Sequence, residues 1–488
     1  MAAATHLSTV YRPDFGLLTD LYQLTMAAGY YDQGVHERKS IFHLFFRSAP
    51  FKGDFALAAG LPLAIDLIKG LHFSVDDIQY LGGLKGANGK ALFKEPFLNY
   101  LQRMRFSGDV FGVPEGEIAL PHEPLLRIEA PLIQAQLLET ALLTVMNFST
   151  LIATKAARIK HAAGDDTVLE FGLRRAQGID GGLTASRAAY IGGCDATSNV
   201  WAGRYYGIPV KGTHAHAWVM SFPSELESFE AYAAAMPNNC IFLVDTYDTV
   251  QGVKNAIKVG RKLRERGHEM LGIRLDSGDL AELSKQARVL LDEGGFPQAR
   301  IVASDSLDEH AVNELKAKGA KIDTWGIGTN LVTAKDQPAL GGVYKLAALQ
   351  DGKGNWAPKI KRSETAIKTS NPGRLVVRRF EGAGATGLSS IMHNELLGTP
   401  ADEHAYVDAK GVARSLVQSK GETSSELLVP IFENGEQVYT VPALNEVRGK
   451  AISNWQQWMN SQAFSVGHEY GLSPELYQQK QDLLANYD

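Results

Sequence analysis

The sequence predicts an α/β protein with a central parallel sheet or barrel, flanked by segments that mix strands and helices. Three observations carry this reading. The runs TVLEFG, IPVKG, CIFLVDT, MLGIRLDSGD, RIVASDS and TWGIGT are short and apolar. Amphipathic segments such as VQGVKNAIKVGRKLRERG, LAELSKQARVLLDEGG and LDEHAVNELKAKGA separate several of them, and strands alternating with helices at intervals of roughly 25–30 residues build βα units. Polar residues close successive strands: Asp245, then Arg274 and Asp276, then Asp305, then Gly326, Gly328 and Thr329. The carboxyl edge of a parallel sheet is where ligands bind. A single aspartate there reads equally as a helix N-cap, but a series of them along one edge reads as a site.

Composition bounds the class. A chain of 488 residues has room for roughly two to four domains. Its hydrophobic content of 45% and charged content of 21% are those of a soluble globular protein. A net charge of −5 argues against a general nucleic-acid coat. Two cysteines, Cys194 and Cys240, exclude a disulfide scaffold and a cysteine zinc site, and they fit a reducing compartment. The opening MAAATHLSTV has no basic region before a long apolar run, so it does not read as a signal peptide. FALAAGLPLAI meets Asp66 at once and is too short to span a bilayer. The expectation is a cytoplasmic protein with neither nucleic acid nor membrane as partner.

The elements follow in order. The first residues, up to about 15, read as loose. TDLYQLTMAAGYYDQG is a helix with Thr19 or Asp20 as N-cap. SIFHLFF is a strand, and FALAAGLPLAIDLIKG and EPFLNYLQRMR are helical by apolar spacing. From Gly108 to Ala130, Pro and Gly punctuate short strands. A long helical stretch from Leu132 to Ala163 is expected to break near Asn147. After the βα rhythm, in which Ser306 and Glu309 form a capping-box pattern and Gly319 ends a helix, GGVYKLAAL, GRLVVRRF and AYVDAKG read as strands. The tail from about Leu444 reads as two helices.

Several motifs carry chemistry. In EFGLRRAQGIDGGLTAS, Phe171 stands beside Arg174 and Arg175. A ring and guanidiniums suit a flat anionic ligand, although two solvated arginines on a loop would look the same. Gly178, Gly181 and Gly182 favour a close backbone turn. GIGT offers backbone amides and the Thr329 hydroxyl to a phosphate. No Walker A, Rossmann glycine fingerprint or H-E-x-x-H pattern is present. Asp245, Asp276 and Asp305 would serve either a Mg²⁺ bridged to a diphosphate or a ribose hydroxyl. In VKGTHAHA, His214 and His216 share a face if the segment is a strand and diverge if a helix starts there. Packing and capping roles are the plain alternative for both.

TDLYQLTM, FRSAPFKGDFALAAGL, EFGLRRAQGIDGGLTAS, GGCDATSN, GTHAHAW, VDTYDT, RLDSGD, GIGTNLVT and LLVPIFENGE, in this order, resemble nicotinate phosphoribosyltransferases. The resemblance implies an enzyme of NAD salvage that joins nicotinate to C1 of phosphoribosyl pyrophosphate (PRPP), hydrolyses ATP alongside and uses Mg²⁺. It implies an irregular barrel of the type II phosphoribosyltransferase kind over 131–340. An α+β domain would be built from 1–130 and 341–440, with C-terminal helices over 441–488. It implies a homodimer with the site at the subunit interface. By the same resemblance His216 is phosphorylated and acts with Asp245 and Asp276, which also hold the metal. Tyr22, from the partner, and Phe171 sandwich nicotinate, while Arg174, Thr213 and Arg274 hold it, Arg274 at the carboxylate. Arg175, Asp305, Gly326, Gly328 and Thr329 hold PRPP. His214 receives no role. The rival readings are a nicotinamide or quinolinate phosphoribosyltransferase, a barrel lyase or isomerase acting on a sugar phosphate, and a non-catalytic nucleotide-sensing relative.

Overall fold

The βα rhythm folds into a six-stranded, all-parallel sheet in the computed structural model, which describes residues 15–365, 368–381, 388–417, 423–460 and 469–486. Residues 1–14, which make up nearly all of the segment read as loose up to about 15, and part of the C-terminal tail lie outside the described residues. The strands are β1 (Thr167–Glu170), β2 (Ala196–Thr197), β3 (Ile241–Leu243), β4 (Gly272–Leu275), β5 (Arg300–Asp305) and β6 (Thr324–Ile327), in the spatial order β2-β1-β6-β5-β4-β3. On a ring that order is consecutive, with one interruption between β2 and β3. IPVKG, expected as a strand, contributes only a single parallel bridge from Val210 to Thr197. Four residues later the His214 ring accepts a hydrogen bond from the Leu243 amide at 3.2 Å. The segment Val210–His214 therefore touches both ends of the ladder. Its glycine and the short polar stretch around it keep it irregular.

Helices α1 (Gly178–Gly192) and α2 (Val200–Tyr206) follow β1 and β2. Helices α3 (His216–Met220) and α4 (Glu225–Ala235) precede β3, while α5 (Thr249–Glu265), α6 (Leu280–Glu293) and α7 (Glu309–Ala317) follow β3, β4 and β5. A short α8 (Thr329–Val332) follows β6. Gly178, Gly181 and Gly182, expected in a turn, instead open α1. Three of these helices share a capping device. Asp248 accepts from the Gln251 amide at the start of α5, Asp279 from Ala281 and Glu282 at α6, and Asp308 from His310 and Ala311 at α7. The Ser306–Glu309 capping box does not form, because Asp308 already satisfies the first-turn amides. Each capping aspartate lies three residues after a strand-end aspartate: Asp245 and Asp248, Asp276 and Asp279, Asp305 and Asp308. The D-x-x-D spacing thus divides two jobs, the second residue starting a helix and leaving the first at the sheet edge.

This sheet and its helices form one compact unit, residues 151–338 with 444–452. The other unit comprises 1–150, 339–443 and 453–488. In it, strands Lys39–Phe46, Asp109–Gly112 and Leu126–Pro131 join Gly342–Gln350, Trp356–Pro358, Val429–Glu433 and Glu436–Gln437 in one seven-stranded antiparallel sheet. A buried ion pair ties the same distant parts of the chain. Glu123 accepts from Arg379 at 2.6 Å and from the Leu120 amide at 2.8 Å, with Ser390 on its other oxygen. Two boundaries differ from the sequence reading. FALAAGLPLAIDLIKG begins as a short strand, Ala56–Leu57, and turns helical only at Leu61, after Gly60 at φ 105°. The long helix breaks at Leu138 rather than near Asn147, running as Leu132–Leu137 and then unbroken as Glu139–Ala163. The tail adds a strand, Tyr470–Leu472, between helices Leu444–Asn460 and Pro474–Ala485.

Candidate active site

A cleft of about 200 Å³ lies at the C-terminal ends of β1, β4, β5 and β6. It brings together Phe171, Arg174, Arg175, Arg274, Asp276, Asp305, Gly326, Gly328 and Thr329. Phe171 and the arginines of the short 3₁₀ turn Leu173–Arg175 arrive directly after β1. Gly326 is required by the ring: a Cβ there would stand 2.8 Å from two Phe171 ring carbons. Asp305 closes β5 at φ 140°, a backbone region that non-glycine residues occupy at a cost of about 1–3 kcal/mol and mostly at functional sites.

Asp245 and Thr213 are hydrogen-bonded to this lining, and His216 lies beside it. The Asp276 amide and the Ser277 hydroxyl donate to Oδ2 of Asp245 at 2.8 and 2.7 Å. Oδ1 of Asp245 is buried and has no hydrogen-bond partner. His216, the first residue of α3, has Nδ1 3.0 Å from the Thr246 hydroxyl and Nε2 3.7 Å from Oδ2 of Asp276. Ser304 donates to the other oxygen of Asp276. Arg274 donates from Nη1 to Thr213 Oγ1 at 2.7 Å, and its Nη2 lies 3.7 Å from Asp276. Its Nε is buried without a partner. Burial lowers the Arg274 pKa, and Asp276 and then Asp245 oppose that shift.

The two histidines diverge, because the segment is irregular and a helix starts at the second. His214 is 7% exposed and packs against Tyr232, Phe229 and Phe242. Burial pushes its pKa down to about 4. Its Nε2 accepts from a backbone amide, so the ring is neutral and structural. His216 has a 39% exposed side chain and faces the acidic edge.

Tyr22 belongs to the other compact unit, on helix Leu21–Asp32. It is 49% exposed, with Leu18, Leu21 and Met26 exposed nearby in sequence.

Four participants escaped the sequence reading. Thr246 and Ser304 hold His216 and Asp276. Buried Glu170 accepts from the Gly172 amide, from Ser186 at 2.8 Å and from Thr197 at 2.6 Å, which fixes the backbone around Phe171. Buried Asn330 donates to the carbonyls of Ser306 and Leu307 at 3.0 and 3.1 Å and so locks α8 to the end of β5. Thr246 and Asn330 stood inside the motifs VDTYDT and GIGTNLVT, next to residues already singled out. Glu170 likewise opened the motif EFGLRRAQGIDGGLTAS, but its partners Ser186 and Thr197 lie too far along the chain for a local pattern to show them.

Residues 17–147 match the family model for the nicotinate phosphoribosyltransferase N-terminal domain, and residues 167–373 match that of the nicotinate phosphoribosyltransferase family. A nicotinate phosphoribosyltransferase of Bacillus subtilis is 50% identical over 365 residues, covering 75% of this chain and 73% of that one. The crystal structure of human nicotinic acid phosphoribosyltransferase superposes with a TM-score of 0.81 at 31% identity, over 96% of this chain and all of that one. A nicotinate-nucleotide pyrophosphorylase from Pyrococcus furiosus shares the fold, with a TM-score of 0.70 at 22% identity over 94% of this chain and 99% of that one.

Proposed function

Because the chain belongs to the nicotinate phosphoribosyltransferase family, we propose that the cleft at the sheet edge joins nicotinate to C1 of PRPP. The products are nicotinate mononucleotide and pyrophosphate, a salvage step toward NAD. The observation that carries the proposal is the gathering of His216, Asp276, Asp245 and Arg274 at the carboxyl edge of a parallel sheet, with Thr213 hydrogen-bonded to Arg274. The nicotinate ring nitrogen attacks C1 with its lone pair. The bond from C1 to the pyrophosphate oxygen breaks, and pyrophosphate leaves with that electron pair. No proton need move, so the protein supplies position and electrostatics. Phe171 covers one face of the pyridine ring, and Arg274, with its partnerless Nε, takes the carboxylate. Arg174 assists there, while Arg175, Asp305, Gly326, Gly328 and Thr329 hold the phosphates and ribose.

His216 is the phosphate acceptor in a coupled hydrolysis of ATP. With the proton on Nε2, the nitrogen 3.7 Å from Asp276, Nδ1 keeps a lone pair and accepts from Thr246 until it attacks the γ-phosphorus and ADP departs. Water later releases the phosphate. The phosphorylated ring adds negative charge beside the PRPP site and couples ATP to PRPP affinity. A divalent cation fits the residues present. The unpartnered buried oxygen of Asp245, next to Asp276, is a hard donor set of two carboxylates, to which Mg²⁺ adds substrate oxygens and water. When bound, the ion neutralises the diphosphate. Glu309, His310 and Asp336 also cluster, but Glu309 and Asp336 already hold buried Lys155 at 2.7 and 2.9 Å.

The fold we assign is an irregular barrel, its ring completed between β2 and β3 by Val210–His214. The assembly is a homodimer, with the partner's Tyr22 as the second face of the nicotinate site. Exposed Leu18, Leu21 and Met26 beside it support a partner-covered surface. A cytoplasmic location accords with two buried, unbridged cysteines, and among the described residues no helix is long and apolar enough to cross a membrane. Formation of nicotinate mononucleotide by the purified protein, with and without ATP, tests the proposal. No product from nicotinate and PRPP under either condition refutes it.

A further inference from the structure

The inner face of a parallel barrel is ordinarily filled by layers of large side chains. Here it is open. A cavity of about 740 Å³ extends from the N-terminal ends of the strands, marked by Thr167, Ile241, Arg300 and Thr324, inward to Phe171 and Thr213. That volume lies within the roughly 300–1,000 Å³ of small-ligand pockets. Its walls are apolar, chiefly Leu169, Ile241, Met270, Phe296 and Val302. Its charged lining is the Arg264–Glu269 ion pair, closed at 2.7 Å, with Lys211 and Arg300 as the excess cations.

The cavity and the catalytic cleft share Phe171. They also meet through one hydrogen bond, since Thr213 lines the cavity and accepts from Arg274, which lines the cleft. The two chambers, one at each end of the sheet, thus meet at a side chain and a hydrogen-bonded pair.

We propose that this lumen is the entry chamber of the pyridine carboxylate, which reaches Arg274 from the N-terminal side of the sheet while PRPP occupies the opposite mouth. The proposal rests on the nicotinate reading given above. A flat aromatic monoanion matches both properties of the chamber. Apolar walls take the ring, and a net cationic mouth attracts one carboxylate. PRPP, with its several phosphate charges, matches neither apolar wall nor narrow partition. It belongs at the other end, where Arg175, Asp305, Gly326, Gly328 and Thr329 line the cleft. A second mouth lets the base bind and exchange after PRPP has covered the first.

The test places a removable plug at the N-terminal mouth. Gln298 is an exposed residue of the cavity lining, and both native cysteines are buried, so Gln298→Cys gives one reactive thiol. The variant is treated with a methyl or a bulky aromatic methanethiosulfonate and assayed before and after. At saturating PRPP the bulky adduct should lower kcat/KM for nicotinate by about tenfold or more, with the KM for PRPP held within about twofold. The methyl adduct should have little effect, and reductant should restore the rate, which separates a plug from a misfolded protein. A bulky adduct that leaves kcat/KM for nicotinate within about twofold overturns the proposal, as does one that raises the KM for PRPP in parallel. Protein that makes no nicotinate mononucleotide before any labelling refutes the functional reading itself, a separate outcome.

Discussion

Arg274→Ala should abolish the preference for an acid over its amide. The guanidinium is largely buried; Nη1 is engaged by Thr213 at 2.7 Å and by the His214 carbonyl at 3.3 Å, and Nε is buried with no partner. A carboxylate that takes up that donor gains a charge-assisted hydrogen bond, whose loss costs about 1.5–3 kcal/mol. At 1.36 kcal/mol per decade this is roughly 10- to 150-fold, and a carboxylate left unpaired adds to it. Wild-type enzyme should therefore prefer nicotinate to nicotinamide by about 10- to 150-fold in kcat/KM, and the variant by less than about threefold. Arg274→Lys keeps the charge, loses the planar fork and should fall between. The assay is mononucleotide formation from each base below its KM, with PRPP and ATP saturating. An Ala variant that retains the wild-type ratio refutes the assignment of Arg274 to the carboxylate.

Three further outcomes follow from the geometry. The His214 ring, neutral in the fold with a pKa of about 4, takes up a proton on unfolding below its ordinary value near 6.5. Its stabilising contribution is therefore full above pH ~6.5 and is lost as pH falls toward 4, on the order of 3 kcal/mol. Unfolding midpoints of wild type and His214→Ala against pH should converge across that window, while phosphorylation of the Ala variant stays within about tenfold. Mixing Tyr22→Ala with His216→Ala protein should restore about a quarter of wild-type activity once subunits exchange, since half the dimers then hold one intact site; no recovery in verified heterodimers contradicts a site shared between protomers. Lys155→Met should destabilise the protein by about 1.5–3 kcal/mol, read from denaturant unfolding, because it removes the buried ammonium that holds Glu309 at 2.7 Å and leaves that buried carboxylate with Arg158 alone, while the half-exposed Asp336 turns to water.

The parallel sheet was legible because its strands are short apolar runs flanked by amphipathic helices, a pattern that depends on neighbours in sequence. The candidate site was legible for a related reason: strand ends such as Asp245, Asp276 and Asp305 fall next to recognisable turns. Sequence spacing did not separate those aspartates from Asp248, Asp279 and Asp308, although the D-x-x-D repeat was there to be read. Only the hydrogen bonds assign the second of each pair to a helix start. Long-range partners stayed hidden. Glu170 meets Ser186 and Thr197, which lie 16 and 27 residues away, and Glu123 meets Arg379 across 256. The two-residue β2 was too short to show a period, and Gly60 at φ 105° stopped a helix that apolar spacing alone would have begun earlier.

The central claim is that His216, and not His214, accepts phosphate. The structure gives His216 two polar partners at the acidic edge and gives His214 an aromatic cage with a backbone amide on Nε2. Mass spectrometry of ATP-treated enzyme, digested under alkaline conditions that preserve phosphohistidine, decides between them. Phosphate is expected on His216, absent in His216→Ala together with ATP hydrolysis, while a weak ATP-independent synthesis at high PRPP survives. Phosphate on His214, or on neither histidine while ATP hydrolysis continues, contradicts it.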